Sequence, residues 1–278
     1  MERISRCKFP AGIIFLLFIL ITGIPGIHCV FAQPSLNQVD SRGQKQGLWQ
    51  KNYSNGNLMY RGAFKDNKPV GEWKRYHEEG GLKAILQYSE TSDSVKARLY
   101  ETASHPVAEG TYLREKKEGI WLYYSGENKI AEESFVQGLK NGICRKYYPT
   151  GELLEESLWK ENRKEGKYQA FYPTGKPFLQ CMYSADQRNG RCFSYFPSGM
   201  PEVESQYKDD QPEGAWKYLD ENGNIRFTLL FEKGILKNPE VLDSLGSKAL
   251  EELEKQKGKL DDPEKYLQNP EEYMMRKR

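Results

Sequence analysis

From Gly47 onward, apolar and polar residues alternate in short runs that are closed by turn residues. Leu58, Tyr60, Gly62 and Phe64 form one such run, Leu82, Ala84, Leu86 and Tyr88 a second, and Ile225, Phe227, Leu229 and Phe231 another, with largely polar residues such as Lys83, Gln87, Glu202, Glu204 and Gln206 interleaved. A period of two with one apolar face predicts a half-buried β-strand. Each run follows an aromatic-rich segment and a glycine turn, as in Ser54-Asn55-Gly56, Glu78-Glu79-Gly80 and Glu221-Asn222-Gly223. Glycine suits a hairpin turn because positive φ costs it nothing. The unit predicted is therefore a β-hairpin.

The hairpins recur at a fixed spacing. Gly142–Gly151, Gly166–Gly175 and Gly190–Gly199 each end in an aromatic pair, proline, Thr or Ser, and glycine. Their leading glycines are 166−142 = 24 and 190−166 = 24 residues apart. Extending the frame gives units led by Gly47, Gly71, Gly119, Gly142, Gly166, Gly190 and Gly214, with a degenerate unit led by Val95 between the second and the fourth. We read eight units over residues 47–237, and such a period marks a repeat array. Counting the leading residue as position 0, position 17 is aromatic throughout: Phe64, Tyr88, Tyr112, Phe135, Trp159, Tyr183, Tyr207 and Phe231. (A one-residue deletion near Ser125-Gly126 shifts the fourth unit.) A lone hairpin is marginal in water, so stability must run along the array. The fold expected is mainly β: an elongated open antiparallel sheet of tandem hairpins, ending in a short α-helical cap.

The ends differ from the array. Arg3, Arg6 and Lys8 precede the apolar run Ile13–Ile21, and Val30-Phe31-Ala32 offers small residues for cleavage before Gln33. That order is a secretory signal over residues 1–32. An uncleaved anchor wants about 20 apolar residues, and this run is interrupted by Thr22, Gly23 and Pro25. Residues 33–46 read as a linker. After Asn238-Pro239, Val241, Leu242, Leu245, Ala249, Leu250 and Leu253 take helical spacing. Asp262-Pro263 and Asn269-Pro270 offer two further helix starts. The tail 238–278 is expected to cap the last strand, or to dock a partner through Tyr266, Tyr273 and Met274.

Charge is nearly balanced, with 41 basic and 39 acidic residues, so nothing global points to nucleic acid. Cys144, Cys181 and Cys192 remain after the signal, an odd number without metal-ligand spacing. Cys181 and Cys192 flank the connector at Asp186-Gln187 and could meet across adjacent strands, in an exported setting that permits a disulfide. Neither His77 nor His105 sits near a cysteine or paired carboxylates at ligand spacing, and there is no nucleophile elbow, phosphate loop or zinc-binding motif. No cofactor, metal or catalytic residue is expected. Aromatics in the first strands fall on both faces, and exposed Tyr123, Tyr147, Tyr172 and Phe196 would make an interaction stripe.

The unit resembles the MORN repeat, in the variant found in exported bacterial proteins. The likeness rests on Gly71-x-Trp73, Gly119-x-Trp121 and Gly214-x-Trp216, and on Tyr147-Tyr148, Phe171-Tyr172 and Tyr195-Phe196 with their turn glycines. Cys144, Tyr168 and Cys192 depart from it at the tryptophan position. The resemblance implies a non-enzymatic scaffold for protein or membrane contact. The expectation is an exported protein in the periplasm or at the outer face, with a protein partner in the envelope. The alternatives are association with membrane lipid, glycan binding, and inhibition of a toxin, since sequences of this kind often carry an antitoxin label.

Overall fold

The computed structural model describes residues 35–101 and 105–256. The signal at 1–32 and the tail residues Tyr266, Tyr273 and Met274 lie outside them. Eight hairpins follow one another in chain order. They pair Lys45–Asn52 with Leu58–Lys65, Lys68–Tyr76 with Leu82–Tyr88, Ser94–Tyr100 with Pro106–Leu113, and Lys116–Ser125 with Asn128–Val136. Next come Gly142–Tyr147 with Leu153–Lys160, Arg163–Phe171 with Pro177–Ser184, Gln187–Tyr195 with Pro201–Lys208, and Gly214–Leu219 with Ile225–Glu232. Each hairpin also pairs antiparallel with the next, giving one open sheet of 20 strands when the short flanking strands are counted.

Two kinds of glycine serve two geometries. Those at position 9, such as Gly56 (φ 87°) and Gly151 (φ 101°), make the hairpin turns, as expected. Those at position 0, such as Gly71 (φ 65°) and Gly190 (φ 113°), lie beside β-bulges that the alternation pattern does not reveal. The register between units slips at position 15 between Arg61 and Ala63 and between Glu109 and Thr111, and at position 16 between Ser157 and Trp159 and between Cys181 and Tyr183. Past the slip, position 15 of one unit stands opposite position 2 of the next, as Ser157 does Tyr168 and Cys181 does Cys192. The slip also leaves the position-16 carbonyl to the indole: Trp73 Nε1 donates to Ala63 O, Trp121 Nε1 to Thr111 O and Trp216 Nε1 to Gln206 O, each at 3.0 Å. The junction of the second and third units has no slip, and there Leu86 faces Ala97 directly.

Both rims are tied from unit to unit. At the turn rim, Tyr53, Tyr148 and Tyr172 donate their hydroxyls to the carbonyls of Tyr76, Phe171 and Tyr195 at 2.7–2.9 Å. His77 takes the same place, its Nε2–H donating to Tyr100 O at 3.3 Å. At the connector rim, the backbone N–H groups of Lys45, Lys140, Lys164 and Arg188 donate to the side chains of Asn67, Asn162, Asp186 and Asp210 at 2.7–3.1 Å.

An asparagine closes each end of the sheet. Asn37 donates its N–H to Leu48 O and accepts Gln50 N–H on Oδ1, beside the short strand Gln38–Val39 in what was expected to be linker. Asn238 accepts Leu230 N–H on Oδ1 and donates Nδ2–H to Thr228 O. These contacts satisfy edge groups that would otherwise invite another strand. The helix expected after Pro239 is present as Glu240–Gln256, but Leu242 and Leu250 on it are 44% and 60% exposed. Among the described residues, the last edge is closed by Ile235–Leu236 and Asn238 rather than by the helix, because an amide side chain can pair with backbone groups and an apolar helix face cannot.

Burial holds the hydroxyls of Tyr112, Tyr123, Tyr183 and Tyr218 above their ordinary value, and pushes Tyr168 up to about 12. A folded-state value raised above the unfolded one gives stability that is intact below the ordinary value of 10.0 and is lost as pH rises past it. We therefore expect unfolding above about pH 10. Tyrosinate absorbance and far-ultraviolet dichroism should change together. Tyrosine titration complete before any loss of strand signal would contradict the assignment.

Candidate functional site

One face of the sheet carries positions 2, 15 and 17, and its rings interlock. Trp49, Phe64, Trp73 and Tyr88 follow one another with centroids 5.6, 4.8 and 6.0 Å apart. Tyr112 meets Trp121 at 4.8 Å, Tyr168 meets Tyr183 at 5.7 Å, and Tyr207, Trp216 and Phe231 close the series at 5.0 and 4.9 Å. Cations two residues before the leading glycines cover the rings from the connector side. Lys45 lies 4.7 Å from Trp49, Lys117 4.6 Å from Trp121, Lys164 4.8 Å from Tyr168 and Arg188 3.9 Å from Tyr207. Lys117 is partly stripped of water there, which lowers its pKa. Sequence reasoning missed this row, although a Lys or Arg two residues ahead of five of the glycines was its visible trace.

The ring series breaks wherever position 2 is not aromatic, at Ala97, Cys144 and Cys192. The three breaks are filled differently. Cys192 stands directly opposite Cys181, and the sulfurs are bonded, with the α-carbons 4.2 Å apart. Cys144 is buried beside Ser157 and Trp159, whose Nε1 donates to Ser157 Oγ at 2.8 Å, and the space is shared by the Lys140–Glu133 and Lys146–Glu155 ion pairs. Burial raises the pKa of the Cys144 thiol, which disfavours the thiolate.

At Ala97, which is itself buried at 4% exposure, no ring fills the row. A hollow of about 670 Å³ lies over Ala84, Leu86 and Leu99, with Tyr88, Val95 and Tyr112 lining it. Pro69 and Glu115 stand at its connector end, and Arg75, His77, Lys83 and Tyr100 at its turn end. The covering cation is missing too, since Pro69 and Asp93 occupy its position in the second and third units. Over the rim the hollow continues along the connector Ser89–Ser94, where Arg114 pairs with Asp93 at 3.2 Å. The degenerate unit announced itself in the sequence by Val95 and Ala97; that it would open a hollow depended on the register at Leu86, which the sequence does not display.

The four aromatics expected as a stripe do not share a face. Tyr123, at an even position, lies beside Trp121 and accepts a hydrogen bond from Lys117 Nζ at 2.7 Å. Tyr147, at an odd position, lies on the opposite face, 4.3 Å from Lys129. Tyr172 is engaged in the turn rim and packs on Phe178 at 5.2 Å, and Phe196 takes the same rim position one unit on. All four are half-buried, because successive strand residues project to opposite faces and the rim positions serve the fold. The carboxylates of Glu155 and Glu156 are likewise engaged, with Lys146 at 2.9 Å and Arg145 at 2.8 Å.

Reduction of the Cys181–Cys192 bridge, which closes a separation of 11 residues, should cost about 2–3 kcal/mol on the chain-entropy relation. Denaturant midpoints with and without reductant, compared with those of Cys181→Ser, measure it. Equal midpoints would remove the bridge from the account of stability.

No curated protein is similar enough to the chain to match it. The MORN repeat variant family matches residues 45–66, 69–90, 140–161, 164–185, 188–209 and 212–233. The two hairpins left between these matches are the degenerate unit at Val95, with its open hollow, and its successor at Gly119. With six repeats matched and the same hairpin geometry throughout, the chain belongs to the MORN repeat variant family.

Proposed function

We propose that the protein is an exported, non-enzymatic scaffold of the bacterial cell envelope that binds another protein on the ring-bearing face of its sheet. The observation that carries this reading is that, of the three breaks in the ring series, the one at the third unit leaves a hollow with an apolar floor and charged ends. Binding sites of this kind combine apolar surface with a few placed polar groups. The mixed charge of the connector rim speaks against lipid as the main ligand, since Asp66, Glu118, Glu165 and Asp209 stand among its lysines and would repel anionic headgroups. Glycan binding through a tyrosine stripe loses its basis with the stripe.

The test is affinity purification of the tagged protein from crosslinked native envelopes, with the amino terminus of the exported form determined in the same material. A single stoichiometric protein partner, recovered with a chain that starts near Gln33, is the expected result. Recovery from the cytoplasm, or of lipid or polysaccharide with no reproducible protein, would overturn the reading.

A further inference from the structure

We propose that the hollow at the third unit is a peptide-binding groove, whose ligand carries apolar or aromatic side chains between a carboxylate at one end and a basic group at the other. This deepens the scaffold reading and rests on it. The argument starts from the row of positions 2 and 15. At the junctions on either side a tryptophan lies flat over the preceding position 15: a Cβ on Gly62 would come within 2.1 Å of Trp73, and one on Gly110 within 2.4 Å of Trp121. At the third unit Leu86 and Ala97 replace that glycine–tryptophan pair and face each other without a bulge. No ring then rises from the strand Ser94–Tyr100 at this row, and no cation reaches over it. The half-buried Leu86 and Leu99, beside the buried Ala84, are left as the floor of the hollow.

The ends of the groove differ in sign. Arg75 and Lys83 stand at the turn end, and Glu115 at the connector end; among the described residues none of the three is in an ion pair. The floor between them runs the length of the strands Leu82–Tyr88 and Ser94–Tyr100, seven residues each. At about 3.3 Å per residue that is roughly 20 Å, long enough for a short peptide and too long for one small group. A fatty acid would match the apolar floor and Arg75, but it would lay its tail against Glu115 with nothing to meet that charge. A peptide with an acidic residue at one end and Lys or Arg at the other meets both, and charge placed this way also fixes its direction.

Selection of random heptapeptides displayed on phage against the purified full-length protein tests the proposal. We expect an enriched pool with an apolar centre, an acidic residue on one side and a basic residue on the other. Synthetic peptides from that pool should bind Leu99→Arg at least about tenfold more weakly than the native protein. With Arg75→Glu, an exposed change that leaves the floor intact, selection should favour a basic residue in place of the acidic one, which keeps the test sharp if Leu99→Arg fails to fold. No enrichment, equal binding to Leu99→Arg, a charge preference indifferent to Arg75→Glu, or displacement of the peptides by decanoate would each overturn the proposal. If Leu99→Arg still captures the envelope partner, the groove is not its seat, while the scaffold reading stands.

Discussion

Replacing Trp121 with alanine should destabilise the protein by about 3–5 kcal/mol, the range for deleting a fully buried large side chain. Trp121 is the one fully buried large residue in the described structure, at 0% exposure, although the sheet has no second layer at that point. It reaches that state because Tyr112, Tyr123, Phe135 and Lys117 surround it, while Gly110 lets it lie on the backbone. Its Nε1 bond to Thr111 O would be lost as well. The same change at Trp216, which is only half-buried near the end of the array, should cost less than half as much. Chemical denaturation of both variants gives the comparison. Because each unit is held mainly by its neighbours, Trp121→Ala should also broaden the transition as the two flanks uncouple. A loss below about 1 kcal/mol would mean that the ring cluster is not the core of this sheet.

The second large effect comes from adding atoms. Gly62→Ala should destabilise by about 1–3 kcal/mol or more, as overpacking does, because the new methyl would sit 2.1 Å from the Trp73 ring. Gly56→Ala should also be unfavourable, but for a different reason: its φ of 87° strains any side chain, while nothing lies within 4 Å of it. The steric cost can be relieved by a partner change and the strain cannot. Gly110→Leu combined with Trp121→Ala recreates the Leu86–Ala97 pair of the second junction, and it should regain at least about 1 kcal/mol over the sum of the single changes. Additive losses would show that leucine and alanine at the second junction do not compensate each other.

The repeat, its hairpins and its turn glycines were legible in the sequence because alternation and turn chemistry are local properties. So was the position-17 series, although its rings interlock with position 2 rather than with one another. What the sequence concealed depends on register. Counting outward from the Ala185-Asp186 turn sets Cys181 opposite Gly190; the pairing with Cys192, anticipated from their places beside the connector, comes about through the bulge between Cys181 and Tyr183. The leading glycines were visible as punctuation, but their purpose at those bulges was not. The stripe was misjudged for a related reason: Tyr123 and Tyr147 occupy positions of opposite parity, so similar places in two aromatic runs led to opposite faces. The hollow lies at a junction where the tryptophan is replaced by Ala97 and the register has no slip, and only the first of these is visible in the sequence.

Asn37 and Asn238 hold the outermost strands through backbone groups alone, and neither reads the identity of the unit it closes. Among the described residues, nothing at either edge of the sheet therefore records how many units stand between them. Duplication or excision of a whole unit in the interior leaves both terminators with the same partners to hold. The number of hairpins is free to change by single steps over evolutionary time, and reach becomes an inheritable dimension that selection can adjust without redesigning the fold.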